Sequence, residues 1–524
     1  MEGMDQKCFF PESLVACVPV RKADRTVQEN NSGPFVHTRL SDGKATTSLC
    51  NRTEYPCLGG ILLHEKGHAE TRVVRTFPDF PNYDHGATID GLQPDTDYEF
   101  QWLTFQADGT YATGETVYSF HTPKALERFP LRDGPWLSNV DTTTATIGWR
   151  SSLPVPGGIL YRKKSEKEYR ELLVHRNGQI LPNNTAQIVD LEGLEPDSEY
   201  EYRLACLDTA TGKMVYHGAY SFRTFSATKK ECRALILSDT HSNFRFEEKA
   251  FKFTGAKDRA DFVALVGDTV WDGIFLPGGD NLMDDVVNPV LHFCGHNMPL
   301  VAMRGNHEWN GPYAADWNIW LGAQKGRCYR AFTDGPCFFI VLDSGPMAEI
   351  PRNRYYRELL EEQRAWLLDE IIPSEAYRNA KFRIVMAHFA TFGYPGDDTF
   401  RGPFAETVLE PFSTTDPDKR IHLLVGGHTH GYTRVDADSS VFYTMPDYAT
   451  PNRKPMLAGK PVPFPTVIND GPVCGPMEYS GITFYANEDK LVLAAFDQDL
   501  RVIDSFSVDR EGRTTTHPSV RRFE

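Results

Sequence analysis

The chain of 524 residues contains no run of 18 apolar residues, the length a helix needs to cross a bilayer, so no transmembrane segment is expected. It has no excess of positive charge. Its 55 Lys and Arg stand against 71 Asp and Glu, a formal net charge of -16. A broad basic face, which an extended nucleic-acid surface requires, is therefore not expected. The ten cysteines include no CxxC spacing, which argues against a zinc ribbon or a thioredoxin-type motif. Cys50 and Cys57 are near enough in sequence to pair, but free buried thiols are the plainer reading. The N-terminus, MEGMDQKCFFPESLVACVPVRK, lacks a basic n-region, and Pro11 and Glu12 interrupt its apolar stretch, so it does not read as a signal peptide. The compartment stays open: cytoplasmic if the chain is complete, extracytoplasmic if a leader has been trimmed. Low-complexity tracts are absent as well.

What is present is an ordinary globular composition, 40% hydrophobic and 24% charged, in a chain too long for one core. Its first half carries an internal repeat of about 100 residues. GPFV at Gly33 returns as GPWL at Gly134, and ATTSLCNRTEYPCLGGILLHEK from Ala45 returns as ATIGWRSSLPVPGGILYRKK from Ala145. LQPDTDYEF from Leu92 returns as LEPDSEYEY from Leu194, and SFHTP from Ser119 as SFRTF from Ser221. Each unit alternates apolar and polar residues in short runs between turn residues, the pattern of an antiparallel β-sandwich. The L-x-P-x-[ST]-x-Tyr block resembles the turn into the sixth strand of fibronectin type III domains. That resemblance implies that Tyr98 and Tyr200 form tyrosine corners and that Trp149 is a core tryptophan. The first unit has Leu49 at the tryptophan position, so its core must be packed differently.

After residues 226–232, SATKKEC, which read as a linker, the pattern changes. ALILSD, FVALVGD, LVAMRGN, FFIVLDS, RIVMAH and HLLVGG are apolar runs of the kind found in strands buried on both faces. Helical segments lie between several of them. The clearest spans Tyr355 to about Arg378, with an apolar stripe of Leu359, Leu360, Trp366, Leu367, Ile371 and Ile372. ITFYAN, LVLAAFD and RVIDSFSV predict a closing β-meander. The expected organisation is an N-terminal extension (1–32) with an extra strand at Leu14–Val20, two β-sandwiches (33–123 and 134–225), an α/β layered domain (233–510) and a C-terminal tail (511–524).

Five short blocks at the ends of these apolar runs carry the chemistry. They are Asp239-Thr240-His241, Gly267-Asp268, Gly305-Asn306-His307-Glu308, the lone His388, and Gly427-His428-Thr429-His430. Strand ends are where an α/β sheet delivers functional residues. The blocks supply only oxygen and nitrogen donors, suited to hard and borderline cations. Two cations held close together need a bridging anion, and Asp268 is the natural candidate.

The ordered set D-x-H, G-D, G-N-H-E, H, G-H-x-H resembles the calcineurin-like metallophosphoesterases, over about 280 residues from Arg233 to roughly Arg510. The resemblance implies a four-layer α/β domain and two metal ions, manganese, iron or zinc. It implies that Asp239, His241, Asp268 and His430 surround one ion and Asp268, Asn306, His388 and His428 the other. It implies hydrolysis of a small phosphorylated substrate by in-line attack of a metal-bridging hydroxide. His307 would protonate the leaving oxygen or stabilise its charge. Arg304 either offers phosphate a forked contact or forms a structural salt bridge, and Glu308 orients its neighbours rather than binding metal.

Gly427–Arg434, GHTHGYTR, is similar to the G-H-x-H-x-Y-x-R block of purple acid phosphatases, which also carry an N-terminal sandwich. Their second block has a metal-binding tyrosine three residues after the aspartate. This chain has Trp271 there, and indole cannot ligate a metal, so tyrosinate colour is not expected. Hydrolysis of phosphomonoesters is the leading expectation. Hydrolysis of phosphodiesters in nucleotides or lipid head groups is the alternative, and a non-catalytic module whose sandwiches dock protein or glycan is the third reading. Loops 309–335, 390–420 and 444–478 are expected around the site. Asp272, His64, His68, His292 and His296 match no block and are read as structural.

Overall fold

A computed structural model describes residues 26–28, 35–39 and 44–517, apart from 182–183, 348–353, 391–402, 431, 440–441, 445–455, 458–459 and 470–478. The expected strand at Leu14–Val20 lies outside the described residues, as do parts of loops 390–420 and 444–478.

Both repeats fold as β-sheets whose alternating residues form a core. Each has its tyrosine corner: the Gln93 N–H donates to Tyr98 Oη at 2.9 Å and the Glu195 N–H to Tyr200 Oη at 2.8 Å. Trp149 is fully buried in the second core. In the first, Leu49 takes the Trp149 position and Trp102 takes the position of Leu204, and all four side chains are buried. The exchange keeps one large and one smaller side chain in each core, the compensation close packing requires. In the first unit one long strand, Lys44–Glu65, pairs within both sheets. In the second, two strands, Ala145–Ser151 and Gly157–Lys163, replace it. Cys50 is exposed and Cys57 buried, and both are free thiols.

The α/β part consists of two sheets packed face to face. One contains the parallel strands Glu231–Leu237, Phe262–Val266 and Pro299–Met303, extended by an antiparallel meander of Ser480–Asn487, Lys490–Asp497 and Val502–Asp509. Thr514–Thr516 adds an edge strand to that meander. The other contains the parallel strands Cys337–Leu342, Phe382–Ala387 and Leu423–Gly426. A single core between them includes Ile236, Ala264, Phe339, Ile384 and Leu423. Helices Phe244–Thr254 and Asn288–Cys294 cover the outer face of the first sheet, and helix Tyr356–Trp366 that of the second. This is the four-layer α/β arrangement.

Two local expectations need correction. The helix expected to run from Tyr355 to Arg378 breaks before Pro373, whose ring cannot continue it. Ser374 then caps a separate short helix, Glu375–Asn379, by accepting the Tyr377 N–H. Residues 226–232 are not a free linker. The Ser226 carbonyl accepts the Gly335 N–H at 2.7 Å, Lys229 ion-pairs with Asp261 and Asp334 at 2.7 and 2.8 Å, and the strand of the first sheet begins at Glu231. The second sandwich is also continuous with that sheet. Its strand Leu131–Ser138 pairs in parallel with Pro299–Met303, giving one ten-stranded sheet.

Candidate metal centre

Every block named in the sequence lies just past the C-terminal end of a parallel strand. Asp239 and His241 follow Glu231–Leu237, Asp268 follows Phe262–Val266, and Asn306 and His307 follow Pro299–Met303. His388 follows Phe382–Ala387, and His428 and His430 follow Leu423–Gly426, in the facing sheet. Two sheets therefore converge on one point. Donor atoms of Asp239, His241, Asp268 and His430 all lie within 4.8 Å of one another, as do those of Asp268, His388 and His428, so the two groups share Asp268. Asn306 Oδ1 is 3.2 Å from His388 Nε2, beside the second group.

The backbone is bent to bring these side chains together. Asp239, His241, Asp268, His428 and His430 all have positive φ, between 45° and 75°. For non-glycine residues this costs energy and tends to cluster at functional sites. The glycines of the motifs are set by close approach. A Cβ on Gly305 would lie 2.2 Å from Asp268 Oδ1, and one on Gly427 would lie 2.3 Å from Asp239 Oδ2. Glu308 stitches two of the loops together. Its carboxylate accepts the N–H groups of Asp268, Thr269, Val270 and Gly305 at 2.7–3.2 Å. Ser238 Oγ donates to Asp239 Oδ2 at 2.5 Å.

The donor set fits divalent cations. Asp239, Asp268 and His388 have no exposed surface, and burying two carboxylates is costly without positive charge beside them. Asp268 Oδ2 faces His388 Nε2 at 3.1 Å as an ion-pair partner and has no well-aligned hydrogen bond. His241 Nε2 and His430 Nε2 approach to 3.4 Å, a natural separation for two ligands of one ion. His388 Nδ1 donates to the Val266 carbonyl at 2.8 Å, which turns Nε2 into the cluster. Without a metal, burial works against charge on Asp239 and His388, but mutual attraction outweighs it there. Asp239 is held below the usual carboxylate range by His388, His430 and His241. His388 is pushed up to about 10 by Asp268 and Asp239.

His307 sits at the edge of the cluster. Its Nδ1 donates to the Trp271 carbonyl at 2.7 Å, its own N–H donates to Asp268 Oδ1 at 2.8 Å, and its Nε2 lies 3.7 Å from Asp268 Oδ2. The His241 Nδ1 shares the Trp271 carbonyl at 3.3 Å.

Arg304 is not aimed at a substrate. It is buried, its Nε donates to Asp343 Oδ2 at 2.5 Å, and its guanidinium lies 4.1 Å over the Trp309 ring. The salt-bridge reading describes it, and the phosphate-fork reading is withdrawn because its charge is already matched. Asp343, which also accepts the Trp309 Nε1–H at 3.0 Å, was overlooked in the sequence. Its only signal was an acidic residue ending the run FFIVLD. In the GHTHGYTR block, Tyr432 and Arg434 both bond to Asp504, at 2.7 and 2.8 Å. They anchor the block to the meander and are buried away from solvent. His64 and His68 face Glu99 and Glu65, and His296 bonds to the Pro135 carbonyl.

With this geometry established, comparison with known proteins is informative. A family model described as calcineurin-like phosphoesterase matches residues 232–432. Among solved structures, the chain is similar to a purple acid phosphatase, PPD1, from yellow lupin (Lupinus luteus) seeds, with a TM-score of 0.50 and 12% identity over 91% of this chain and 94% of that one. It is similar also to PhoD, with a TM-score of 0.50 and 12% identity over 76% of this chain and 94% of that one. At these identities the likeness is one of fold. Comparison with curated proteins gave no match. Among the described residues no helix is long and apolar enough to cross a membrane.

Proposed function

We propose that residues 232–432, which match a family model described as calcineurin-like phosphoesterase, form a metal-dependent phosphoesterase domain that hydrolyses small phosphomonoesters at a site for two metal ions. The observation that carries this reading is the pair of buried donor groups joined by Asp268. One ion would be held by Asp239, His241, Asp268 and His430, the other by Asp268, Asn306, His388 and His428. When bound, such a pair supplies an activated water and offsets the charge of the transferring phosphoryl group.

The chain's own residues do the rest. Asp268 belongs to both donor groups, and its Oδ1 is positioned by the His307 N–H. Glu308 and the Val266 carbonyl hold the ligands in register, so little reorganisation is needed during reaction. His307 has one nitrogen committed to the Trp271 carbonyl. As an imidazolium the ring also carries a proton on its other nitrogen, Nε2, which would pass to the leaving oxygen and leave the neutral ring. The members of this cluster that reach solvent are His307 and His428. A terminal phosphoryl group entering from that side, with its leaving group outward, suits this opening.

The test is hydrolysis of 4-nitrophenyl phosphate and bis(4-nitrophenyl) phosphate by protein loaded separately with manganese, zinc or iron, with Asp268→Asn as control. Metal-dependent turnover that favours the monoester and is lost in the variant is the expected result. Preference for the diester would replace this reading with a phosphodiesterase.

A further inference from the structure

The loop after Asp268 places an exposed indole beside the proposed metal centre. Trp271 is 67% exposed, and Phe275 and Leu276 on the same loop are 51% and 48% exposed. Three large apolar side chains within six residues thus face solvent, and concentrated exposed apolar surface marks binding sites. This loop is also fixed in place. The Trp271 carbonyl accepts from both His241 and His307. The Ile274 N–H donates to the Asn310 carbonyl at 3.0 Å, and Asn281 Oδ1 accepts the N–H groups of Phe275 and Leu276 at 3.0 and 2.9 Å. A Cβ on Gly273 would lie 2.9 Å from the Phe275 ring, so that ring rests over the loop. The Trp271 ring centroid is 6.1 Å from that of His241, which is itself 4.7 Å from His307. The indole therefore stands beside His241, on the same edge of the cluster as His307.

We propose that Trp271 is a specificity-determining residue, a stacking surface for a planar aromatic group carried by the leaving alcohol of the phosphomonoester. The proposal rests on the phosphomonoesterase reading for its geometry. Stacking on an indole face is tolerant of the ring stacked, because every planar aromatic ring has a π-face. Asp272, exposed next to Trp271, puts a negative charge on this side and disfavours a second phosphate there. A neutral aromatic alcohol, either a nucleoside or an aryl-alkyl alcohol, fits better than a polyanionic chain. Phe275 and Leu276 would extend the apolar surface under the ring.

The test compares matched pairs in wild type, Trp271→Ala and Trp271→Phe. One pair is adenosine 5′-monophosphate and ribose 5-phosphate, which share the reacting primary ester and differ by the base. The other is 2-phenylethyl phosphate and 2-cyclohexylethyl phosphate, which separate stacking from plain apolar contact. Wild type is expected to favour one or both aromatic members in kcat/KM by about tenfold or more, about 1.4 kcal/mol. Trp271→Ala should lose that preference, read as the ratio of kcat/KM within each pair so that any general loss of turnover cancels, and Trp271→Phe should keep part of it. The pair that shows the effect identifies the source of the ring. A wild type with no aromatic preference, or a preference unchanged in Trp271→Ala, overturns the proposal. A readout independent of turnover is the dissociation constant of the phosphonates in which CH2 replaces the ester oxygen. If no ester is hydrolysed, yet Trp271→Ala weakens only the aromatic phosphonates about tenfold, the phosphomonoesterase reading fails and the stacking surface stands. Equal binding of all four by wild type overturns the stacking surface alone.

Discussion

Glu247 gives the sharpest test of the energetics beneath the site. It lies on helix Phe244–Thr254 with its side chain against the first sheet and is 1% exposed. Neither carboxyl oxygen has a hydrogen-bond partner of good geometry, although Thr240 lies close enough to favour the charged form slightly. Burial dominates, nearby Asp285 adds repulsion, and together they push Glu247 up to about 7 from an ordinary 4.5. A folded state that keeps a proton the unfolded chain has released loses stability as pH rises, here from 4.5 to about 7. At about 1.4 kcal/mol per pH unit of displacement, the loss across that window is roughly 3 kcal/mol. Glu247→Gln cannot titrate, so it removes that slope. Asp334 is also raised, to about 7, and keeps its share in both proteins, whereas Asp285, raised to about 6, repels Glu247 and is relieved with it in the variant. The assay is urea unfolding of wild type and variant at intervals from pH 4.5 to 8. The variant is expected to gain on wild type by roughly 3 kcal/mol across the window, whatever the fixed cost of a buried amide. Parallel profiles for the two proteins would refute the assignment.

Arg304→Ala leaves Asp343 buried and unpaired and should cost about 3–5 kcal/mol in unfolding free energy; a loss below 1 kcal/mol in urea denaturation would mean that the pair is not buried as described. Gly305→Ala drives a Cβ against Asp268 and should lower kcat/KM by about a hundredfold, the effect of displacing reacting groups by an ångström. Unchanged turnover would count against the close approach. In metal-free protein the His388 contribution to stability is fully present below 6.5 and is lost as pH rises through about 10. His388→Gln should therefore flatten the unfolding profile in that range, and metal binding near pH 7 should release a proton that calorimetry in buffers of different ionisation enthalpy can count.

The parts of this molecule visible in the sequence are those with a local signature. Apolar runs buried on both faces marked the strands, and the residue after each run marked the site, because parallel strands end together. The tyrosine corners were visible because one turn fixes both partners, Tyr98 with Gln93 and Tyr200 with Glu195. Features that depend on contacts across the fold were hidden. Arg304 finds Asp343 just past the end of strand Cys337–Leu342 in the facing sheet, and no spacing rule links them. Arg434 and Tyr432 meet Asp504 some 70 residues later, so a motif resemblance alone could not separate their anchoring role from chemistry. The exchange of Leu49 and Trp102 for Trp149 and Leu204 appears only when the two cores are compared, because each change is explained by the other.

The second sandwich shows how far such contacts reach. Strand Pro299–Met303, which delivers Asn306 and His307, pairs on one side with Phe262–Val266 and on the other with Leu131–Ser138 of the sandwich. Without that neighbour its backbone would present an open edge, which proteins cover or pair. The junction is reinforced away from the ladder. Arg150 is buried among Asp133, Asp280 and the Gly278 carbonyl, the Asn139 amide donates to the Gly322 carbonyl at 3.0 Å, and Trp136 packs on Trp320. Trp320 and Gly278–Gly279 belong to the segments that flank the loop of Trp271 and the loop after His307 in sequence. A sandwich built into the sheet in this way is part of the scaffold that positions the candidate centre, which neither a spacer nor a detachable docking module would be. Its repeat partner, residues 44–121, has a core of its own, so duplication produced two similar units of which one became structural to the α/β part.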